Sequence, residues 1–64
     1  MTIKEARKRI KVTQFELSRR TRIHPAIISQ IETGRLRPTM EQLERIAEAF
    51  HVEPNKLDEF ADVR

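Results

Sequence analysis

The chain has 64 residues, 38% of them apolar and 36% charged, which is enough for one compact domain with a modest core and too little for a catalytic cleft beside a separate binding module. It contains no cysteine, so neither a disulfide framework nor a thiolate metal site is available and helix packing must supply the stability. The net charge of +3 conceals an asymmetry, ten basic against three acidic residues from Met1 to Arg37 and three against seven from Pro38 onward; such a basic half attracts a polyanion, although charge alone equally suits a solvated helical surface.

One glycine and three prolines punctuate the chain, and the pattern between them predicts five short helices. The first spans about Thr2 to Ile10, with Thr2 as cap, Glu5 at the N3 position of a capping box, and Ile3, Ala6 and Ile10 facing the core. Thr13, with Glu16 three residues on, caps a second helix whose buried face begins at Leu17 and which ends near Arg20 or Thr21. His24-Pro25 opens the third, because proline is favoured where its missing N–H costs nothing. Ile28 and Ile31 share one side of it, and Gly34 ends it as the residue that best tolerates positive φ.

After a basic loop from Arg35 to Pro38, Thr39 caps a fourth helix with Glu41 and Gln42 in its first turn and Met40, Leu43, Ile46, Ala47 and Phe50 as its apolar stripe. A fifth begins at about Pro54 and packs Leu57 and Phe60 onto the rest. Strand-like alternation, internal repeats and low-complexity tracts are absent, so the expected fold is all-α, a single domain over residues 1–64. No apolar run approaches the roughly 20 residues of a membrane span, and the N-terminus lacks the apolar stretch of a secretory signal, so a cytoplasmic location is expected.

The most informative feature is two short helices joined by a tight turn, from Thr13 to Glu32, flanked by basic residues. That arrangement lays the second helix, here about 25–32, in a DNA major groove while the first crosses the backbone. The string Thr13-Gln14-x-x-Leu17-Ser18, then Ile23-His24-Pro25, then Ile28-Ser29-x-Ile31-Glu32-x-Gly34, then Pro38-Thr39 and Leu43-x-x-Ile46-Ala47 resembles the helix-turn-helix family of the phage Cro and lambda-type repressors. The similarity runs from Arg7 to Leu57. It implies a compact five-helix lambda-repressor-like domain that binds duplex DNA as a transcriptional regulator, most often a repressor.

The resemblance implies that Gln14, at the start of the second helix, contacts a phosphate and braces the recognition helix, and that Arg7 pairs with Glu32. On the recognition helix, a rotation of 100° per residue turns Ile28, Ile31 and Glu32 inward. Ala26, Ser29, Gln30 and Thr33 then face outward, with Pro25 and Ile27 at the margins. Gln30 is the leading candidate for a base contact, because its amide both donates to and accepts from the major-groove edge of adenine. Pro25 and Ala26 stand where the family often carries polar base readers and can only pack against thymine methyl groups or allow close approach. Ser29 is in reach of a base or a phosphate. Ile27 is open to two readings, contact with a thymine methyl group or packing at the edge of the core.

Arg35 and Arg37 are expected to bind phosphates alongside Arg19, Arg22 or Lys11, with Thr13, Thr33 and His24 completing the set; His24 is read as an N-cap substitute close to the DNA backbone. Glycine is common in this family at helix ends where the chain has Lys11, Arg22 and His51, so a differently shaped turn between the two key helices is one expectation. A non-glycine residue in the left-handed region costs about 1 kcal/mol. Phe15 is an oddity at a nominally exposed site.

His24 and His51 are the only histidines, and without cysteine or an i, i+4 partner they suggest no metal site. No serine has a plausible base, and no glycine-rich phosphate loop or paired-carboxylate pocket is recognisable, so no cofactor, small-molecule ligand or enzymatic activity is expected. Related small domains dimerise through the loop after the recognition helix and the C-terminal helix, which here points to Leu36 and the region from Val52 to Phe60, and to a homodimer on DNA. The rival reading is an interaction module such as the antitoxin partner of a toxin; the short stretch after the fifth helix offers no long tail for that role.

Overall fold

A computed structural model describes every residue from Met1 to Arg64. Four α-helices, α1 (Ile3–Arg9), α2 (Gln14–Thr21), α3 (Pro25–Glu32) and α4 (Met40–Phe50), are followed by two 3-10 turns, Pro54–Lys56 and Asp58–Asp62, and there is no strand. The all-α expectation holds and the count of five helices does not. The segment after Pro54 breaks at Leu57, which is extended (φ −89°, ψ 134°) so that its side chain can enter the core. The next N–H, of Asp58, donates to the Met1 carbonyl at 2.8 Å instead of to its own helix, so an i→i−4 ladder cannot propagate there.

The helix starts follow from side-chain chemistry. Thr2 with Glu5, Thr13 with Glu16 and Thr39 with Gln42 each form a complete capping box, satisfying two orphan backbone donors apiece; loss of such a cap costs about 1 kcal/mol. The backbone N–H of Thr2, followed by its side-chain hydroxyl, holds the Glu5 carboxyl below the usual carboxylate range. At α3, Pro25 takes the first helical position and the His24 Nδ1 accepts from the Ala26 N–H at 3.0 Å, the capping role anticipated for an imidazole.

The helix ends are left-handed without glycine at three of four places. Lys11, Arg22 and His51 have φ of 58°, 60° and 57°, and Gly34 has 79°. Arg22 therefore takes the left-handed conformation that glycine favours (φ 60°, ψ 30°). After α1 and α4 the pattern is the same: Val12 N–H returns to the Arg7 carbonyl and Val52 N–H to the Ala47 carbonyl, both at 3.1 Å, closing the last turn and satisfying carbonyls that would otherwise be orphaned.

Ile3, Leu17, Ile28, Ile31, Leu43, Ile46 and Leu57 are the large aliphatic side chains withdrawn from solvent, joined in the core by Ala6, Val12, Ile23, Ala47 and Phe50. Each buried Leu or Ile contributes roughly 1.5 to 3 kcal/mol. Three expected core residues stay outside: Ile10, Met40 and Phe60 are 45%, 39% and 40% exposed. Ile10 is the non-helical cap of α1, and the left-handed step at Lys11 sends Val12 inward in its place. Met40 opens α4 at its solvent end. In the second 3-10 turn it is Glu59 that faces α1, accepting the buried Ile3 N–H at 3.0 Å, which leaves Phe60 pointing out.

Candidate nucleic-acid interface

The turn between α2 and α3 is fixed from inside. Thr21 is buried, donates its hydroxyl to the Leu17 carbonyl at 2.8 Å and accepts the Ile23 N–H at 3.3 Å. Ile23 drives into the core beside it, 5% exposed. With the turn anchored at both residues, α3 leaves at a set angle and its two faces separate cleanly. Ile28 and Ile31 are buried; Ala26, Gln30 and Thr33 are exposed; Pro25, Ile27 and Ser29 are half-buried. Ile27 packs against the core cluster, favouring the packing reading for that residue.

The C-terminal end of α3 is tied to α1 and α2 by one carboxylate. Arg7 Nε donates to Glu32 Oε2 at 2.8 Å and Arg7 Nη2 to Oε1 at 3.1 Å, while Gln14 Nε2 donates to the same Oε1 at 2.9 Å. Arg7 Nη1 donates in addition to the Val12 carbonyl at 3.0 Å. The Glu32 side chain is 2% exposed and that of Arg7 11%. Burial alone pushes the Glu32 carboxyl up, but the hydrogen bonds from Arg7 and Gln14, with the charges of Arg7 and Lys4, outweigh it and hold the group below its ordinary range. The hydrogen bonds to Glu32, with its charge, in turn raise Arg7 against the effect of burial. The pair expected between these residues thus forms as a bidentate contact, and the bracing by Gln14 is a direct hydrogen bond.

These ties hold the end of α3 and leave its outer face standing as a ridge. Thr13 and Gln14 stand at the start of α2 and Arg35 and Arg37 in the loop after α3, all exposed or half-buried. The loop is fastened by the Arg35 and Leu36 N–H groups, which both return to the Gln30 carbonyl, and by Pro38, which is fully buried. The Thr33 hydroxyl donates to the Ser29 or Gln30 carbonyl, at 3.0 and 3.2 Å. With His24 Nδ1 occupied as an acceptor, the Nε2 of its exposed ring carries the proton and is available to donate.

Arg22 is placed differently from the other candidate phosphate ligands. It lines an open cleft of about 470 Å³ between the end of α2 and the last turn of α4, opposite Arg45, Glu48 and His51. Phe15 is 63% exposed on α2, and nothing in the structure explains it. Two features escaped the reading of residues alone. One is Glu59, whose burial was hidden by its place in an acidic stretch. The other is the influence of the Lys4 charge on Glu32, to which the spacing of Lys4 and Arg7 on one helix face was the available pointer.

No group of three or more His, Cys, Asp or Glu side chains is gathered in the molecule, and no helix is long and apolar enough to cross a membrane. A family model described as helix-turn-helix matches residues 3–57, from the first residue of α1 to the core leucine between the 3-10 turns. Comparison with curated proteins and with solved structures gave no match.

Proposed function

The chain belongs to the helix-turn-helix family, the DNA-binding regulators of the Cro and lambda-repressor type, and on that premise we propose that it is a repressor whose α3 reads a palindromic operator in the major groove. The observation that carries this reading is the ridge itself: Ala26, Gln30 and Thr33 stand exposed on a helix whose opposite side is locked by Ile28, Ile31 and the Arg7–Glu32–Gln14 ties.

In this reading Gln30 makes the bidentate base contact, Ala26 and Pro25 meet thymine methyl groups or let the backbone approach, and Ser29 reaches a base edge. Thr13, Gln14, His24, Thr33, Arg35 and Arg37 hold phosphates on either side of the groove, with Arg22 reaching one from the edge. The fixed helix matters because a base contact survives only if its side chain is held near the productive geometry.

Two copies would bind half-sites about one helical turn apart, roughly 10 to 10.5 base pairs. Support for a dimer surface comes from the C-terminal tail, where the Arg64 N–H donates to the Pro38 carbonyl at 3.0 Å. That contact brings the C-terminal segment beside the loop of Leu36, and Met40 and Phe60 are each partly exposed. A dimer on a promoter represses by excluding other proteins from that duplex.

Selection of bound duplexes from a random pool tests the proposal, with a palindromic consensus as the expected result. Gln30→Ala should then relax specificity at one base pair per half-site, at about 1 to 3 kcal/mol. Equal loss on every sequence would make Gln30 a phosphate ligand, and a consensus without two-fold symmetry would refute the dimeric reading.

A further inference from the structure

Helix α1 carries a second basic surface outside the two helices just described. At 100° per residue, Lys4, Arg7 and Lys8 fall within about 100° of arc on α1, and Lys11 follows at the left-handed step that leads to Thr13. The apolar residues Ile3 and Ala6 occupy the neighbouring arc and are buried, so the lysines flank the buried face on the side of Arg7. Arg7 is bonded to Glu32 at the end of the recognition helix, and the Lys4 charge helps keep Glu32 ionised. The lysine stripe therefore lies on the side of the molecule where α3 ends and α2 begins.

None of these three ammonium groups has an ionic partner: the molecule's ion pairs are Met1 with Asp58, Arg7 with Glu32, and Arg45 with Glu41. The nearby acids are already engaged, Glu5 by the Thr2 N–H and Glu32 by Arg7 and Gln14. Lys4 and Lys8 are like charges at i, i+4 and Lys4 is a cation in the first turn of a helix, both unfavourable, while Lys8 in the last turn is favourably placed toward the helix dipole. Charges that repel one another in the free protein gain most from a partner that supplies a row of anions.

We propose that Lys4, Lys8 and Lys11 form an additional phosphate-binding surface that follows the DNA backbone outward from the half-site, extending the footprint past the groove occupied by α3. This rests on the DNA-binding reading above and adds to it positioning residues outside the helix-turn-helix.

The test compares two doubly substituted proteins of equal net charge, Lys4→Gln with Lys8→Gln, and Arg9→Gln with Lys56→Gln, on a selected duplex with long flanks over a range of salt. Glutamine has nearly the helix propensity of lysine, and circular dichroism checks that each protein is folded. Each lost phosphate contact lowers the slope of log K against log salt by about 0.9. The lysine pair should lower it by about 1.8 and the control pair should leave it unchanged; Lys11→Gln should remove a further step of about 0.9. Trimming the flanks to the half-site borders should abolish the difference between wild type and the lysine variant. Equal slopes for the two doubly substituted proteins, or a difference that persists on the trimmed duplex, would overturn the lysine surface alone. A wild-type protein with no affinity for any duplex at low salt would overturn the DNA-binding reading and the lysine surface with it.

Discussion

Substituting Glu32 by glutamine removes one charge from the point where α1, α2 and α3 meet, and the structure sets its cost. Glu32 accepts three hydrogen bonds within 3.1 Å, two from Arg7 and one from Gln14, at a side chain 2% exposed. A glutamine offers one carbonyl oxygen and turns an NH2 toward groups that are themselves donors, so at least one of the two Arg7 bonds is lost and the guanidinium has no counterion. Removing one partner of a buried pair costs about 3 to 5 kcal/mol. The 11% exposure of Arg7 lets water recover part of that, which puts the expected loss near the lower end, about 3 kcal/mol. A chain of this length has roughly 3 to 10 kcal/mol of stability in total, so the variant should be visibly destabilised.

The loss must also depend on pH in a definite direction. Because the folded state holds the Glu32 carboxyl below its ordinary value, its stabilising contribution is present above the ordinary value and disappears as pH falls through the lower, folded one. Urea unfolding followed by circular dichroism, at neutral pH and stepwise into acid, should show a gap of about 3 kcal/mol between wild type and Glu32→Gln that closes at the acid end. Adding Arg7→Met to both proteins should shrink the neutral gap, since the contact is then absent from each. A gap under about 0.5 kcal/mol at neutral pH, the size of an ordinary surface effect, or one that does not change with pH, would refute the assignment.

Three further predictions concern other parts of the chain. Burial, the largest influence on Glu59, raises its carboxyl even though it accepts from Ile3, so stability should rise as pH falls through the folded value toward the ordinary one. Glu59→Gln, which keeps an acceptor, should remove that rise at little cost to neutral stability, whereas Glu59→Ala strands a buried N–H and should lose about 1 to 3 kcal/mol; equal losses from the two would contradict this. Gly34→Ala meets no atom within 4 Å but keeps φ at +79°, so it should lose about 1 kcal/mol from backbone strain alone, read as a fall of about 4 to 8 °C in Tm, and an unchanged or raised Tm would refute it. Arg35→Gln with Arg37→Gln should weaken binding to selected and unrelated duplexes alike and lower the salt slope by about 1.8, and a loss confined to the selected duplex would show base contact instead.

Much of this architecture was legible in the residues because its signals are local. The cap at Thr2, Thr13 or Thr39 and its partner three residues on announce a helix start through bonds made within one turn. The left-handed ends at Lys11, Arg22 and His51 were not legible, because none of the three is a residue that favours that conformation and the missing glycines point instead to a differently shaped turn. The C-terminal segment was misread because its conformation is decided at long range. Leu57 must reach the core, Asp58 must meet Met1 and Glu59 must meet Ile3, and together these demands override the helix that Pro54 predicts. Exposure at Ile10 and Met40 was lost for a related reason: periodicity describes a helix interior, and both residues sit at an end where the chain changes direction. At the candidate interface, the rotation angle alone separated Gln30 from Ile31, whereas the sharing of one Glu32 oxygen between Arg7 and Gln14 depends on three elements meeting in space.

The most direct test of the central claim is a titration of the isotopically labelled protein with its selected duplex, following backbone amide signals. The outer face of α3 should respond at saturable, near-stoichiometric DNA, with the largest shifts at Ala26, Ser29, Gln30 and Thr33 and a second group at Thr13, Gln14, Arg35 and Arg37. Shifts confined to the acidic outer face of α4, around Glu41, Glu44 and Glu48, with α3 unmoved, would contradict it.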